Sequence, residues 1–405
     1  MSDFDGLLEE ARGLLSAAVA LRRRIHAKPE LGLNLPLTTA AVLEALSGLD
    51  VEIARGPSTS GLVVTLRGAK PQSRRGRTIL LRGDMDALPM PEETGLDYAS
   101  EFPGRMHACG HDAHTAMLAQ AVHLLHRHRN ELAGTVKFMF QPGEEGHGGA
   151  RLMIEDGLID TAPKPDAAFA LHIWPGVKAG AILGKPGPMM ASADTWAITI
   201  RGRGGHASMP HDAVDPIPVA FEIGQALQAL VTRRIDIFDP VVLTCTKVTA
   251  GTTYNVIPET AEMLGTLRAT SEAARERAHE GITRIAANIA AAHLCEADVV
   301  IKRGYPVTVN DPDFVDFARG VATELVGAEN YIDRPAPIMG AEDFSYVLQR
   351  IPGSMMFLGV MPDGHDGPVA PCHSNRMILN EDCMAVGIAM HAAIAHRFLS
   401  HEPSL

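Results

Sequence analysis

What most restricts the fold of this chain is a series of short apolar runs that close on ionisable groups and are separated by stretches of helical periodicity. The runs cover 61–66, 78–81, 136–140 and 167–171, and the last three lead into Arg82-Gly83-Asp84-Met85-Asp86, Glu144-Glu145 and His172. Helical spacing occupies 115–128 and 149–157 between them. Strands alternating with helices predict an α/β domain with a mostly parallel sheet, because parallel neighbours need a crossover that a helix supplies. Ligands of such sheets gather at the carboxyl ends of the strands, where Asp86, Glu144, Glu145 and His172 are expected to converge.

A chain of 405 residues exceeds what one hydrophobic core usually supports. The first fifty residues carry helical spacing at Leu7, Leu8, Leu14, Leu15 and Val19 and again over 40–46, split by a Pro- and Gly-punctuated segment at 29–36. Near residue 190 the texture changes to strand, helix, two strands, helix, strand: 196–200, 216–232, 241–248, 261–269, 271–293 and 297–303. That order predicts a smaller inserted α+β domain of ferredoxin-like type over 191–304, with 1–190 and 305–405 forming the two parts of the larger domain. Gly340-Ala341-Glu342-Asp343-Phe344 falls in the second of those parts.

A formal charge of -12 argues against nucleic-acid binding, and Arg22-Arg23-Arg24 and Arg74-Arg75-Gly76-Arg77 read as a solvated helix face and a loop. Asp3, Asp5, Glu9 and Glu10 stand where an export signal needs positive charge. No apolar stretch approaches the roughly 20 residues that span a bilayer. A cytoplasmic location without a membrane partner is therefore expected. Five scattered cysteines, an odd number, fit reduced thiols; Cys245, Cys295, Cys372 and Cys383 read as small buried hydrophobes.

The fifth, Cys109, lies in Met106-His107-Ala108-Cys109-Gly110-His111-Asp112-Ala113-His114. A metal that polarises an amide and activates water needs imidazoles, a thiolate or carboxylates and an open coordination position. Cys109 and His111, on a glycine-containing loop, are free to face one site, and His107 and His114 are open either as further ligands or as ordinary buried histidines. Glu144-Glu145 resembles a common helix-start pair, yet it follows a buried strand, so one carboxylate can bind metal while the other holds water. His172 and His373 are by themselves equally compatible with ordinary histidines. Gly202-Arg203-Gly204-Gly205-His206 lacks the Lys-Ser/Thr ending of a phosphate loop and is better read as a turn presenting His206.

These motifs, in order with Arg23-Arg24-Ile25-His26-Ala27-Lys28-Pro29-Glu30-Leu31, Gln141-Pro142-Gly143 and Asn255-Val256-Ile257-Pro258, resemble dinuclear metallo-amidohydrolases of the aminoacylase and carboxypeptidase G type. The similarity is to the branch of hippurate hydrolases and auxin-conjugate hydrolases. It implies that Cys109, His111, Glu145, His172 and His373 bind two divalent ions, that Glu144 is the general base, and that Asp86 orients a metal-binding side chain. It further implies that His206, often from a partner subunit, stabilises an oxyanion, that Asn255 and Arg268 contact substrate, and that the inserted domain serves as lid and dimer interface. His147 stands where the family carries glycine, as an extra ligand or a pocket-wall group. The segments 34–36 and 375–380 also depart from the family pattern.

The activity so implied is hydrolysis of the amide of N-acyl amino acids, hippurate and N-acetyl amino acids among them. Zinc suits the thiolate and imidazole set, while manganese, nickel and cobalt tolerate its mixed donors. The alternatives are a dipeptidase or carboxypeptidase, and a non-catalytic binder of small amides.

Overall fold

In the computed structural model, residues 4–71, 76–364 and 368–400 are described; Arg74 and Arg75 of the basic loop lie outside them. The chain forms two compact units. One comprises Met1–Gly187, Val309–Pro335 and Tyr346–Leu405, the other Pro188–Thr308 and Ala336–Ser345.

The larger unit is built on an eight-stranded mixed sheet in the order Glu52–Ala54, Leu62–Arg67, Gly134–Gln141, Arg77–Asp84, Ala167–Trp174, Gly353–Gly359, Ile182–Gly184, Tyr331–Asp333. The four strands from Gly134–Gln141 to Gly353–Gly359 run parallel. They are buried on both faces, as parallel strands under helices must be, which explains why they read as continuous apolar runs rather than alternating ones. Helices Asp5–His26, His111–Arg127 and Met384–Ser400 pack against one another, and the last two also lie on strand Arg77–Asp84.

The segment Glu381–Ser400 corrects one expectation from the sequence. It is long and apolar enough to cross a membrane by length and composition, but 78% of that window is buried inside the protein, as in a core helix. At the other end of the chain, the short helix Pro36–Ala45 starts on a proline, and the Glu30 carboxylate accepts hydrogen bonds from the amides of Leu37 and Thr38 at 3.1 and 2.8 Å. That carboxylate satisfies two of the N–H groups a helix start leaves open.

The smaller unit is a four-stranded antiparallel sheet in the order Val241–Ala250, Thr260–Ala269, Asp194–Arg201, Glu296–Arg303. Helix Pro216–Arg234 connects strand Asp194–Arg201 to Val241–Ala250, and helix Glu272–Ala292 connects Thr260–Ala269 to Glu296–Arg303, which is the ferredoxin-like order. Trp196, Ile198 and Ile200 alternate inward on the central strand toward Ile223, Leu227 and Ile282 of the helices. This unit also takes in Ala336–Ser345, because the Ala191 amide donates to the carbonyls of Ile338 and Gly340, both at 2.9 Å. Gly340-Ala341-Glu342-Asp343-Phe344 thus groups with the inserted unit rather than with the larger one.

Candidate metal centre

Three strands of the larger unit end at the site. Arg77–Asp84 delivers Asp84 and, two residues on, Asp86; Gly134–Gln141 leads through a left-handed Gly143 to Glu144 and Glu145; Ala167–Trp174 carries His172 near its end. The fourth contribution is the loop before helix His111–Arg127. Gly110 has φ +82°, and a Cβ there would meet Ile173 Cγ1 at 2.4 Å, so only glycine lets the chain turn into the helix this close to the neighbouring strand. His373 comes from near the C-terminus, itself at φ +68°, its amide donating to the Ala108 carbonyl at 2.7 Å.

Ligand-type atoms of Cys109, His111 and His172 lie within 4.8 Å of one another, as do those of Cys109, Glu145 and His373, and those of His111, Glu144 and Glu145. Cys109 is shared by the first two sets. The five residues expected as ligands and the expected base are therefore brought together on one edge of the sheet.

Hydrogen bonds fix which ring nitrogens face inward. His172 Nδ1 donates to the Ile173 carbonyl at 2.7 Å, leaving Nε2 turned toward the Cys109 sulfur at 3.4 Å. Burial, followed by the neighbouring His114, pushes the His172 imidazole well below its usual range, so it is neutral as a ligand must be. His111 is fully buried with no hydrogen-bond partner on either nitrogen; its Nε2 faces Asp84 at 3.4 Å and Glu145 at 4.0 Å, and its Nδ1 faces Asp86 at 3.4 Å. Orphaned buried nitrogens beside carboxylates fit a cation ligand, and the soft and hard donors together suit a divalent transition ion. Burial alone would lower the His111 imidazole, but Asp84, Asp86 and Glu145 raise it to about 10. Contact with the Cys372 thiol, then burial and the nearby glutamates, keep the Cys109 thiol protonated. A bound cation would take the place of these protons. Glu145 Oε1 and His373 Nε2 are 3.1 Å apart without hydrogen-bond alignment, an arrangement that suits two ligands of one ion.

Asp86 holds the glutamate pair by its backbone: one carboxylate oxygen accepts from the Glu144 amide and the other from the Glu145 amide, each at 3.0 Å. His114 is not available as a ligand. Its Nδ1 donates to Asp84 at 2.6 Å and its Nε2 accepts from the Ile173 amide at 2.9 Å, so it supports the site from behind. His107 is fully buried beside His26 and belongs to no ligand set among the described residues. His147 donates through Nδ1 to the Glu145 carbonyl at 2.9 Å and also stays outside those sets.

In the inserted unit, Gly205–His206 pairs antiparallel with Val256–Ile257, and the Ala207 amide donates to the Asn255 carbonyl at 3.1 Å, which brings His206 and Asn255 together. The Ser208 amide donates to His206 Nδ1 at 3.1 Å, so the ring proton sits on the exposed Nε2. Arg268 is not with them. It pairs with Val242 near the end of the hairpin opposite the connection that carries Asn255. Two neighbours of the ligands differ in how far the sequence reveals them. Asp84 precedes Asp86 by one strand repeat and was the readable one; Cys372, against Cys109, gave no signal beyond adjoining His373.

Imidazole, thiol and carboxylate donors gathered at the carboxyl ends of parallel strands make the kind of site a metal-dependent hydrolase carries. The chain belongs to peptidase family M20/M25/M40, whose model matches residues 80–397. It is 36% identical over 97% of its length to thermostable carboxypeptidase 1 of Saccharolobus solfataricus, covering 98% of that protein. It is 38% identical over 94% of its length to IAA-amino acid hydrolase ILR1-like 4 of Arabidopsis thaliana, covering 85% of that protein. Among solved structures, the YXEP protein of Bacillus subtilis, described as a dinuclear metal-binding peptidase of the M20 family, is 33% identical with a TM-score of 0.83 over 96% of this chain and 98% of that one.

Proposed function

We propose that this protein is a dinuclear metal-dependent amidohydrolase that cleaves N-acyl amino acids into a carboxylate and a free amino acid, with Cys109, His111, Glu145, His172 and His373 as ligands. One observation carries the reading: a second glutamate, Glu144, stands within 4.8 Å of the ligand atoms of His111 and Glu145, where a mere binder of amides has no use for a base. The similarity to a plant amino-acid-conjugate hydrolase supports the substrate class, and the dinuclear relative supports two ions.

Cys109, His111, Glu145, His172 and His373 would hold divalent ions, zinc or manganese first and nickel or cobalt next, which would supply the charge to acidify a water and polarise the acyl carbonyl. Glu144 accepts the proton of the attacking water and returns it to the leaving amine nitrogen. Asp86, by fixing both backbone amides, keeps the Glu144 and Glu145 carboxylates in separate roles. His206, with its proton on Nε2, is a donor suited to the oxyanion. Asn255 and Arg268 are assigned to substrate contact. A cytoplasmic homodimer formed through the inserted unit completes the proposal.

The test is amine release from N-acetyl and N-benzoyl amino acids, hippurate included, set beside dipeptides, using zinc- or manganese-loaded protein and its Glu144→Gln variant. Turnover of the acyl amino acids that falls by about 10²–10⁴-fold in the variant, with metal content unchanged, is the expected result. The carboxypeptidase relative favours a second reading, and preference for dipeptides over acyl amino acids in the same panel would establish it. A variant as active as the parent would remove Glu144 from the mechanism.

A further inference from the structure

The 109–111 loop and the His373 loop belong to different segments of the larger unit, and the Cys109, Glu145 and His373 set forms only if they stay in register. Of these, His373 is the least secure. Its side chain is 54% exposed, and its backbone lies in the left-handed region, which a histidine holds only when its surroundings impose it.

Behind the loops lies a polar circuit that the proposed chemistry does not use, buried at Arg22, His26 and Asp112 and exposed at Glu93 and Arg376. Asp112, next to His111, is fully buried, and its Oδ2 accepts from Arg22 Nε at 3.0 Å and from His26 Nδ1 at 2.8 Å. The other nitrogen of His26 donates to Glu92 Oε1 at 3.1 Å. The next residue, Glu93, grips the His373 loop directly: its amide donates to the Asn375 carbonyl at 2.7 Å, and its carboxylate accepts from Arg376 Nη2 at 3.0 Å. The bond from the His373 amide to the Ala108 carbonyl closes the ring. A second arm runs from Arg22 Nη1 to Glu381 Oε1 at 2.7 Å, at the start of the C-terminal helical segment.

Both ring nitrogens of His26 face carboxylate oxygens, so both donate, and the imidazole acts as a rigid spacer between two anchored acids. With both nitrogens donating, the rigid ring carries its two donors on separate atoms and so can reach two different acids at once. We propose that His26 is a positioning residue for the metal centre: by bonding Asp112 with one nitrogen and Glu92 with the other, it sets the spacing between the 109–111 loop and the His373 loop. The inference rests on the ligand assignment made above. It explains why a buried histidine on the first helix is held between two carboxylates of different elements, and it makes the second ion the one most sensitive to the first helix.

The full chain is stripped with chelator and titrated with zinc against a chromophoric competitor and with cobalt(II), whose visible absorption reports ligand geometry. His26→Asn keeps a donor near the Nδ1 position and drops the arm to Glu92; Glu92→Gln weakens the same arm from the other side while preserving shape. Both are expected to keep the parent's circular dichroism and the affinity of one equivalent, to bind the other about 10–100-fold more weakly, and to alter the cobalt spectrum. Arg24→Gln, which removes only a surface pair with Glu44, is expected to change neither. Affinities within about two-fold of the parent in both variants, with only the melting temperature lowered, would make the circuit a purely structural brace and overturn the proposal. His373→Ala separates this from the ligand assignment: it must lose one equivalent. If it still binds two, or the parent binds fewer than two, the assignment itself fails and the proposal with it.

Discussion

Asp86 serves the site through what it accepts rather than through what it binds. Two adjacent amides converge on its two oxygens, so the turn bearing Glu144 and Glu145 is pinned at both residues. Asp86→Ala removes both acceptors and the carboxylate facing His111 Nδ1. It is expected to weaken metal binding about 10–100-fold and to lower turnover at limiting metal, with partial recovery in excess metal; a chelator competition assay measures the first and a metal titration of activity the second. Asp86→Asn retains one acceptor oxygen and should fall between the two.

At the scale of elements, the site depends on how closely a loop can approach a strand. Gly110 brings the metal loop against Ile173, one residue beyond His172 on strand Ala167–Trp174, with no room for a side chain. Gly110→Ala must both enter the left-handed region and displace Ile173, so a loss of about 2–4 kcal/mol is expected in denaturant titrations. The cobalt spectrum should change as well, since Cys109 and His111 flank the glycine. In the inserted unit, Asp194 is buried and accepts from Arg275 and from His279 at 2.7 Å, tying the central strand to helix Glu272–Ala292. Asp194→Ala leaves Arg275 buried without its main partner and should cost about 3–5 kcal/mol, read as an earlier unfolding transition.

For the molecule as a whole, the pH dependence of stability is expected to carry the signature of His26. Burial lowers its imidazole, but Asp112 and Glu92 outweigh burial and the repulsion of Arg22, raising it from 6.5 to about 9. A group raised in the folded state contributes stability that is fully present below its unfolded value and lost as pH rises through the folded one. Metal-free protein should therefore lose stability between about pH 6.5 and 9. His26→Gln should start less stable and show a flatter decline over that window, which urea unfolding at a series of pH values measures. An unchanged slope in the variant would assign the alkaline loss to other groups.

The sequence by itself marked the parallel sheet of the larger unit, the strand and helix order of the smaller one, and donor-type residues that the structure brings together. Apolar runs closing on Asp86, Glu144 and His172 marked parallel strands because burial on both faces leaves no polar alternation to hide them. The spacing of strands and helices after residue 190 was enough for the ferredoxin-like order, since that order follows from which segments connect. Tertiary structure alone decided which histidines of the 106–114 loop face the ligands: His111 and His114 share a helix start, yet Asp84 and the Ile173 amide occupy both nitrogens of His114 and leave His111 orphaned. It also placed Cys372 against Cys109, moved 340–344 into the inserted unit, separated Arg268 from Asn255, and buried the apolar C-terminal helix. Each of these is a contact between segments distant in the chain, and periodicity and motif spacing record only what a residue's near neighbours require.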